Sequence, residues 1–223
     1  NKVDMNNLMH VFSGATTVVH LAARAGVRQS FLDPKSYIED NTIATATLSN
    51  IVKNNSINKL IVASTSSIYG DTGSKLAEEY KDELNEPPSI YAATKSFGET
   101  LAKNILEDEE TIVQFPRFFT VYGPYGRPDM SILRFVHWVF NNDDVIVYGN
   151  GEQKRSFTFI SDIVNGLNRL LDYNKSGTFN LGSNQTWSLN EIINLIEKKL
   201  NSKAKIVYKD RAMKDVDIVL PSL

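Results

Sequence analysis

The chain has 223 residues, of which 42% are hydrophobic and 22% charged, and this composition is typical of a globular protein rather than a disordered or fibrous one. Its 24 basic and 26 acidic side chains give a formal net charge of −2, so its bulk charge attracts neither nucleic acid nor a membrane surface. No cysteine is present, which excludes disulfide scaffolds, thiolate metal sites and cysteine nucleophiles and predicts a cytoplasmic protein. No apolar run approaches the roughly 18 residues of a membrane span.

Short apolar runs and helical patterns alternate in the first half of the chain. Runs at 17–23, 59–64 and 111–115 predict buried strands, and helical spacing predicts helices from about 33 to 54 and from 89 to 106. Runs that are apolar throughout are typical of a parallel sheet covered on both faces. Ligands of such sheets bind beyond the carboxyl ends of the strands.

The second half is less regular, and it predicts a smaller lobe interleaved with a doubly wound α/β sheet. Ser188 and Glu191 form a capping-box pattern at the start of the last helix. The remaining predicted elements are a Gly/Pro-rich loop at 122–128, helices at 132–140 and 160–173, and strands at 145–148, 156–159, 177–181 and 204–208.

Tyr91 and Lys95 form the sharpest chemical signal, because they stand four residues apart in a predicted helix. One helical turn places the phenol and the ammonium on one face, about 6 Å apart along the axis. A cation at that distance lowers the phenol pKa from about 10 toward neutrality, which allows Tyr91 to act as an acid or base. The spacing alone also fits a solvated helix face, so the surrounding sequence has to decide.

Hydroxyl side chains follow the second predicted strand, at Thr65, Ser66 and Ser67. Together with Tyr91 and Lys95, this segment resembles the extended short-chain dehydrogenase/reductase family, in its nucleotide-sugar epimerase and dehydratase branch. The resemblance continues in the expected order through Asn41 and residues 20–28, 116–130, 155–163 and 179–182.

The resemblance implies a Rossmann-like NAD-binding domain at residues 1–119 and 157–182 and a substrate lobe at 120–156 and 183–223. It also implies that Tyr91 shuttles the proton of a sugar hydroxyl that Thr65 orients, while hydride passes between the sugar and NAD. Lys95 would hold the nicotinamide ribose and lower the pKa of Tyr91. The residues expected to contact NAD are Ala22, Ala23, Asn41, Ala63, Tyr91, Lys95 and Phe118.

Within the branch, residues 25–28 and 126–130 look most like UDP-glucuronate 4-epimerases. That likeness implies a UDP-sugar substrate whose diphosphate is held by Arg127 and Arg155, since guanidinium pairs bidentately with phosphate oxygens and stays charged. Arg28 would lie near the diphosphate, although an ordinary surface arginine explains it equally well.

The turn at Thr65, Ser66 and Ser67 bears on the reaction. The resembling 4,6-dehydratases carry an Asp-Glu pair after the Thr, and UDP-glucuronate decarboxylases carry a Glu at the place of Ser67; this chain has neither. We therefore expect a UDP-glucuronate 4-epimerase in which Ser66, Ser67 and Thr120 accommodate the sugar carboxylate. Two alternatives stay open: a UDP-galactose or UDP-N-acetylgalactosamine 4-epimerase, and a turn that satisfies only its own backbone.

One family feature is absent, because no Gly-x-x-Gly-x-x-Gly loop occurs in the chain. In the family this loop lies on the first strand-helix-strand unit and binds the NAD pyrophosphate. We expect that unit to lie upstream of Asn1 and a tail to be missing after Leu223. A non-catalytic binding module and an inactive fragment are the alternatives of another class.

Two further expectations concern assembly and metals. The resemblance implies a homodimer through the predicted helices at 33–54 and 89–106. No metal is expected, because His10, His20 and His137 do not form a ligand set, and His20, at a strand end, is interpreted as a packing residue.

Overall fold

The predicted parallel sheet is present in the computed structural model, which describes residues 11–70 and 86–210. The described residues divide into two units. Unit 1 contains 11–68, 86–118 and 165–180, and unit 2 contains 69–70, 119–164 and 181–210. The predicted boundaries between the NAD-binding domain and the substrate lobe, at 119–120, 156–157 and 182–183, stay predictions.

The sheet of unit 1 has the strand order β1-β2-β4-β3, and β9 also pairs with β4. Strands β1 and β3 run parallel to their neighbours β2 and β4, which are themselves parallel. The α/β fold class is therefore confirmed. The strands are β1 Thr17–His20, β2 Lys59–Val62, β3 Ser64–Thr65, β4 Ile112–Phe118 and β9 Gly177–Leu181.

The helices of unit 1 pack on a buried apolar cluster that includes Val52, Leu60, Ala102 and Phe115. The predicted helix at 33–54 contains an unpredicted π-helical segment, Ile38–Ile43, between two α-helices. The predicted helix at 89–106 is confirmed, with Ser89 as its N-cap. The α-helices are α1 Val27–Leu32, which was not predicted, α2 Pro34–Tyr37, α3 Ala44–Asn54 and α4 Ile90–Ile105.

Unit 2 is built from three two-stranded pairs and two helices around a second apolar cluster, which includes Phe135, Val139, Val145 and Ile193. Its pairs are β5 Thr120–Tyr122 with β8 Phe157–Phe159, β6 Asp144–Tyr148 with β11 Lys205–Lys209, and β7 Lys154–Arg155 with β10 Trp187–Ser188. Its helices are α5 Ser131–Asn141 and α7 Leu189–Leu200, while α6, Ile160–Asp172, extends over residues of both units.

Two predictions for unit 2 have clear outcomes. The capping box is confirmed, since Ser188 accepts from the Glu191 N–H and Glu191 accepts from the Ser188 N–H. The single strand predicted at 156–159 is wrong at its start, because Ser156 separates β7 from β8. Its hydroxyl donates to the Ser183 carbonyl and accepts from the Ser183 N–H, at 2.6 and 3.1 Å.

In the described ranges, no helix combines the length and the apolar character needed to cross a bilayer.

Candidate active site

The residues predicted to surround the cofactor lie at one edge of the sheet in unit 1. Ala22 and Ala23 follow β1, Ala63 follows β2, and Thr65 and Phe118 are register partners at the ends of β3 and β4. Parallel strands present their carboxyl ends together, so the topology places these positions side by side.

A cleft of about 450 Å³ opens beside this edge. Small side chains form part of its wall, and Ala22 and Ala23 are exposed, so a ligand can approach their backbone. The cleft is lined by His20, Ala22, Ala23, Arg24, Asp40 and Ala44.

Asn41 fixes the loop that carries Ala22 and Ala23. Its Oδ1 accepts from the Arg24 N–H at 2.7 Å, and its Nδ2 donates to the Arg24 carbonyl at 2.9 Å and to Thr94 Oγ1 at 3.1 Å. The Asn41 amide thus ties this loop to α4, and its contact with NAD stays a prediction. The π-helical segment that carries Asn41 places this amide in a buried position.

Tyr91 lies in the first turn of α4, against a buried tyrosine. The ring of Tyr37 meets the ring of Tyr91 edge-on, with centroids 6.3 Å apart and planes at 81°. Tyr37 Oη lies 2.8 Å from the Ala25 carbonyl oxygen and 3.0 Å from that of Gly26, so the Tyr37 hydroxyl donates to the backbone of the loop after β1. The Thr94 hydroxyl donates to the Tyr91 carbonyl at 2.8 Å.

Lys95 is buried one turn after Tyr91, with 6% of the residue exposed. Burial lowers the pKa of Lys95 to about 8, because an ammonium is less stable away from water, and the charge of Glu99 acts in the opposite direction. Lys95 is therefore still mostly protonated at pH 7, but it loses its proton at a lower pH than an exposed lysine does.

His20, interpreted as packing from sequence, lies in the wall of the cleft. Its Nε2 is 3.3 Å from Thr45 Oγ1, and the Thr45 hydroxyl already donates to the Asn41 carbonyl at 2.6 Å. His20 Nε2 must therefore carry the proton and donate to Thr45 Oγ1, and this hydrogen bond assigns the tautomer. Burial, and then the charge of Lys95, lowers the pKa of His20 to about 4, so the ring is neutral at physiological pH.

Thr65 adopts the self-satisfied turn that the sequence left open as an alternative. Its Oγ1 accepts from the Ser67 N–H and donates to Ser67 Oγ, both at 3.1 Å. The bond from the Ser67 N–H to Thr65 Oγ1 lies at the start of the 3₁₀ turn Ser66–Tyr69. Ser66 and Ser67 are half-buried residues at the start of this turn.

Sequence reasoning missed a buried polar cluster beside Lys95. Glu99 accepts two bonds from Arg117, from Nε at 2.9 Å and from Nη2 at 2.7 Å, and a third from Ser64 Oγ. Two signals were available: Glu99 continues the four-residue spacing of Tyr91 and Lys95, and Arg117 is a charge in a buried strand.

The predicted diphosphate residues belong to unit 2, except Arg28, which is exposed on α1. Arg127 is 3.3 Å from Asp129 and donates to Met130 Sδ, in a loop where Gly123 has φ 144°. Arg155 ends β7 opposite Trp187. Thr120, predicted to help hold the carboxylate, begins β5 in the same unit.

Among the described residues, no group of three or more His, Cys, Asp or Glu side chains is placed to hold a metal ion. His10 lies outside the described residues.

The chain is similar in sequence to known proteins. The chain is 39% identical over 204 residues to a UDP-glucuronate 4-epimerase of Thermodesulfobacterium geofontis, covering 91% of this chain and 62% of the relative. It is 35% identical to protein CapI of Staphylococcus aureus, covering 97% of this chain and 72% of that protein. The chain thus spans about six tenths of the length of the first of these curated relatives.

Two solved structures share the fold at high similarity. MoeE5 in complex with UDP-glucuronic acid and NAD has a TM-score of 0.91 and 33% identity, over 100% of this chain and 76% of that one. The UDP-glucuronic acid 4-epimerase of Bacillus cereus, bound to UDP-glucuronic acid and NAD, has a TM-score of 0.89 and 29% identity, over 99% of this chain and 70% of that one. Residues 1–182 match the NAD dependent epimerase/dehydratase family, and the chain belongs to that family.

Proposed function

We propose that this chain is the larger part of an NAD-dependent UDP-sugar 4-epimerase that converts UDP-glucuronate to UDP-galacturonate. The observation that carries the proposal is the Tyr91–Lys95 pair, one turn apart on α4 with the ammonium buried. A relative named UDP-glucuronate 4-epimerase, at 39% identity, supports the choice of sugar.

The residues at the sheet edge fit a dinucleotide. The cleft is bounded by Ala22 and Ala23, whose side chains leave the backbone open, and by a loop that Asn41 holds rigid. Lys95 would hold a ribose hydroxyl, and Ala63 and Phe118 lie at the same edge. NAD bound there would supply reversible hydride transfer with sugar C4.

The remaining chemistry belongs to the chain. Tyr91, as phenolate, takes the proton of the C4 hydroxyl while the C4–H electron pair leaves as hydride, and it returns the proton when the hydride comes back. The Lys95 ammonium favours the phenolate by its charge. Thr65 would orient the same sugar hydroxyl. For this, the Thr65 hydroxyl would have to rotate so that its proton points to the sugar instead of to Ser67 Oγ.

Ser66 and Ser67 would hold the substrate carboxylate by donating hydrogen bonds to it. Ser67→Glu removes one of these donors and introduces the residue that the resembling decarboxylases carry there, so it should lower the kcat/KM for 4-epimerisation at least about 10-fold more for UDP-glucuronate than for UDP-galactose. Ser13→Glu, the same change at an exposed position in unit 1, is the matched control.

Anion-exchange chromatography of the products decides the substrate, because UDP-glucuronate and UDP-galacturonate are epimers of equal mass, and mass analysis then identifies any decarboxylated product. Wild type should form UDP-galacturonate, and Ser67→Ala should lower this turnover and raise the share of decarboxylated 4-keto product, because the oxidised sugar is a β-keto acid. A wild-type preference for UDP-galactose that Ser67→Ala leaves unchanged would replace this assignment with a neutral-hexose epimerase. A solved structure of a UDP-N-acetylglucosamine 4-epimerase, 27% identical to this chain, supports this alternative.

Arg127 and Arg155, with Arg28 as a third candidate, would bind the diphosphate through bidentate hydrogen bonds. Each would act as a fixed positive charge, because guanidinium keeps its proton throughout the working pH range. The cytoplasmic location stays a prediction from the cysteine-free composition.

We also propose a homodimer through α3 and α4. Gly98 on α4 faces Thr45 on α3, and near them Ile43 and Phe97 are each 54% exposed. A second copy would cover these side chains. Phe97→Asp should yield monomers by light scattering, whereas Leu195→Asp, at an exposed leucine of unit 2, should not; a monomeric wild type at micromolar concentration would contradict the proposal.

A further inference from the structure

Glu99 is a buried carboxylate that joins three elements of the candidate site. It lies on α4 one turn after Lys95, and 4% of it is exposed. Arg117 on β4 binds both of its oxygens, and Ser64 on β3 donates to Oε1. Two groups, the Arg117 guanidinium in bidentate geometry and the Ser64 hydroxyl, thus donate three hydrogen bonds to this carboxylate.

The partners of Glu99 are neighbours of residues at the sheet edge. Ser64 and Arg117 are register partners across β3 and β4, and the next pair in the register is Thr65 with Phe118. A single carboxylate therefore fixes α4 against the two strand ends that carry Thr65 and Phe118. Movement of Glu99 would displace Lys95 and these strand ends relative to one another.

Glu99 also acts on Lys95 electrostatically. Burial pulls the pKa of Lys95 down to about 8, and the Glu99 charge opposes that shift. Removal of the negative charge would lower the pKa further and leave a larger share of Lys95 neutral at physiological pH. A neutral amine would not favour the phenolate form of Tyr91.

Other charged groups on the elements around Lys95 are placed differently. His20, at the end of β1, is neutral, and Arg117 is bound by Glu99. The charged side chains on the neighbouring helical segments are exposed: Arg28 on α1, Lys35 on α2, Glu39 and Asp40 on the π-helical segment, and Lys53 on α3. Lys35 pairs with Glu39, Asp40 with Arg24 and Lys53 with Glu109.

We propose that Glu99 is a positioning residue for the Tyr91–Lys95 pair: bonded by Arg117 and Ser64, its carboxylate favours the charged form of Lys95 and holds its helix against β3 and β4. The role of Lys95 rests on the proposed function. The charge state of Lys95 does not, so it can be measured without turnover.

The test is an NMR titration of Lys95 in the cofactor-free chain with ¹³Cε-labelled lysine, assigned by the signal that Lys95→Arg removes. Wild type should titrate near pH 8. Glu99→Gln should titrate lower by about one pH unit or more, because the stabilising charge is gone. Glu107→Gln, the same change at an exposed position just after α4, should leave the titration unchanged.

A second variant separates electrostatics from folding. Glu99→Gln leaves Arg117 buried without its anion, so Glu99→Gln/Arg117→Met should recover a native melting temperature. Lys95 should still titrate below wild type in that folded double variant. A wild-type titration there would show that Glu99 only fills space, and the proposal would be wrong.

Ser64→Ala covers the case in which both Gln variants unfold. It keeps both charges but removes one of the three bonds that orient Glu99, which lets the carboxylate move away from Lys95, so the pKa of Lys95 should fall by a smaller amount. An unchanged titration with both Gln variants unfolded would also overturn the proposal. Failure to epimerise any UDP-sugar would contradict the proposed function and leave the Lys95 titration standing.

Discussion

The candidate site residues of the two units include cations that are held in opposite ways. In unit 1, Lys95 is buried and its pKa is lowered by burial, and Arg117 is buried against the Glu99 carboxylate. In unit 2, the side chain of Arg127 is 44% exposed and contacts Asp129 within its own loop. Burial makes a cation sensitive to its neighbours and useful in proton transfer, whereas exposure leaves a charge free to meet an anionic ligand.

The largest expected effect tests the buried side of this comparison. Tyr91→Phe removes the proton-carrying oxygen but keeps the ring that meets Tyr37 edge-on, so turnover of the full-length enzyme should fall about 10²- to 10⁴-fold. Steady-state kinetics with UDP-glucuronate measure the loss, and a melting curve should show that the fold is retained. Tyr173→Phe is the matched control; turnover close to wild type in Tyr91→Phe would require another proton shuttle.

Glu99→Gln should lower the free energy of unfolding by about 3–5 kcal/mol, because it leaves the Arg117 charge buried without an anion. The same change at Glu109, which forms a largely solvent-accessible pair with Lys53 at 3.0 Å, should cost no more than about 1 kcal/mol. Urea titration of both variants measures the difference. Equal losses would show that burial does not distinguish the two ion pairs.

The pH dependence of stability should reveal Lys95. Below about pH 8 the group is charged in both folded and unfolded chains, and the folded chain carries the full cost of burying it. Between about pH 8 and 10.5 only the unfolded chain keeps the proton, so the free energy of unfolding should rise with pH. This contribution is at most about 3 kcal/mol. Lys95→Met should lose this rise and Lys53→Met should keep it, measured by urea denaturation across that range; identical profiles for wild type and Lys95→Met would contradict the shift.

The smallest expected effect concerns the exposed side. Arg127→Ala should leave the melting temperature unchanged, because the ion pair of Arg127 with Asp129 and its bond to Met130 lie within one loop. It should raise KM for the UDP-sugar about 10- to 100-fold by removing charge-assisted bonds to phosphate. Arg127→Lys should recover part of the loss, since an ammonium keeps the charge but not the bidentate geometry. An unchanged KM would remove Arg127 from the diphosphate site.

Local sequence determined the parts of this protein that depend on neighbours along the chain. The spacing of Tyr91 and Lys95, the Ser89 cap and the Ser188–Glu191 box involve residues at most four positions apart, so helix geometry alone relates them. The apolar runs predicted the parallel sheet, because strands buried on both faces need apolar side chains on both.

Only the tertiary structure decided which distant polar groups meet. Asn41 reaches the Arg24 backbone over 17 positions, and Ser64 reaches Glu99 over 35. Strand order and the π-helical segment create these contacts, and neither leaves a periodic signal in the sequence. The lowered pKa of Lys95 has the same origin, because it depends on how much water the packed strands and helices exclude from a side chain whose chemistry the sequence had already supplied.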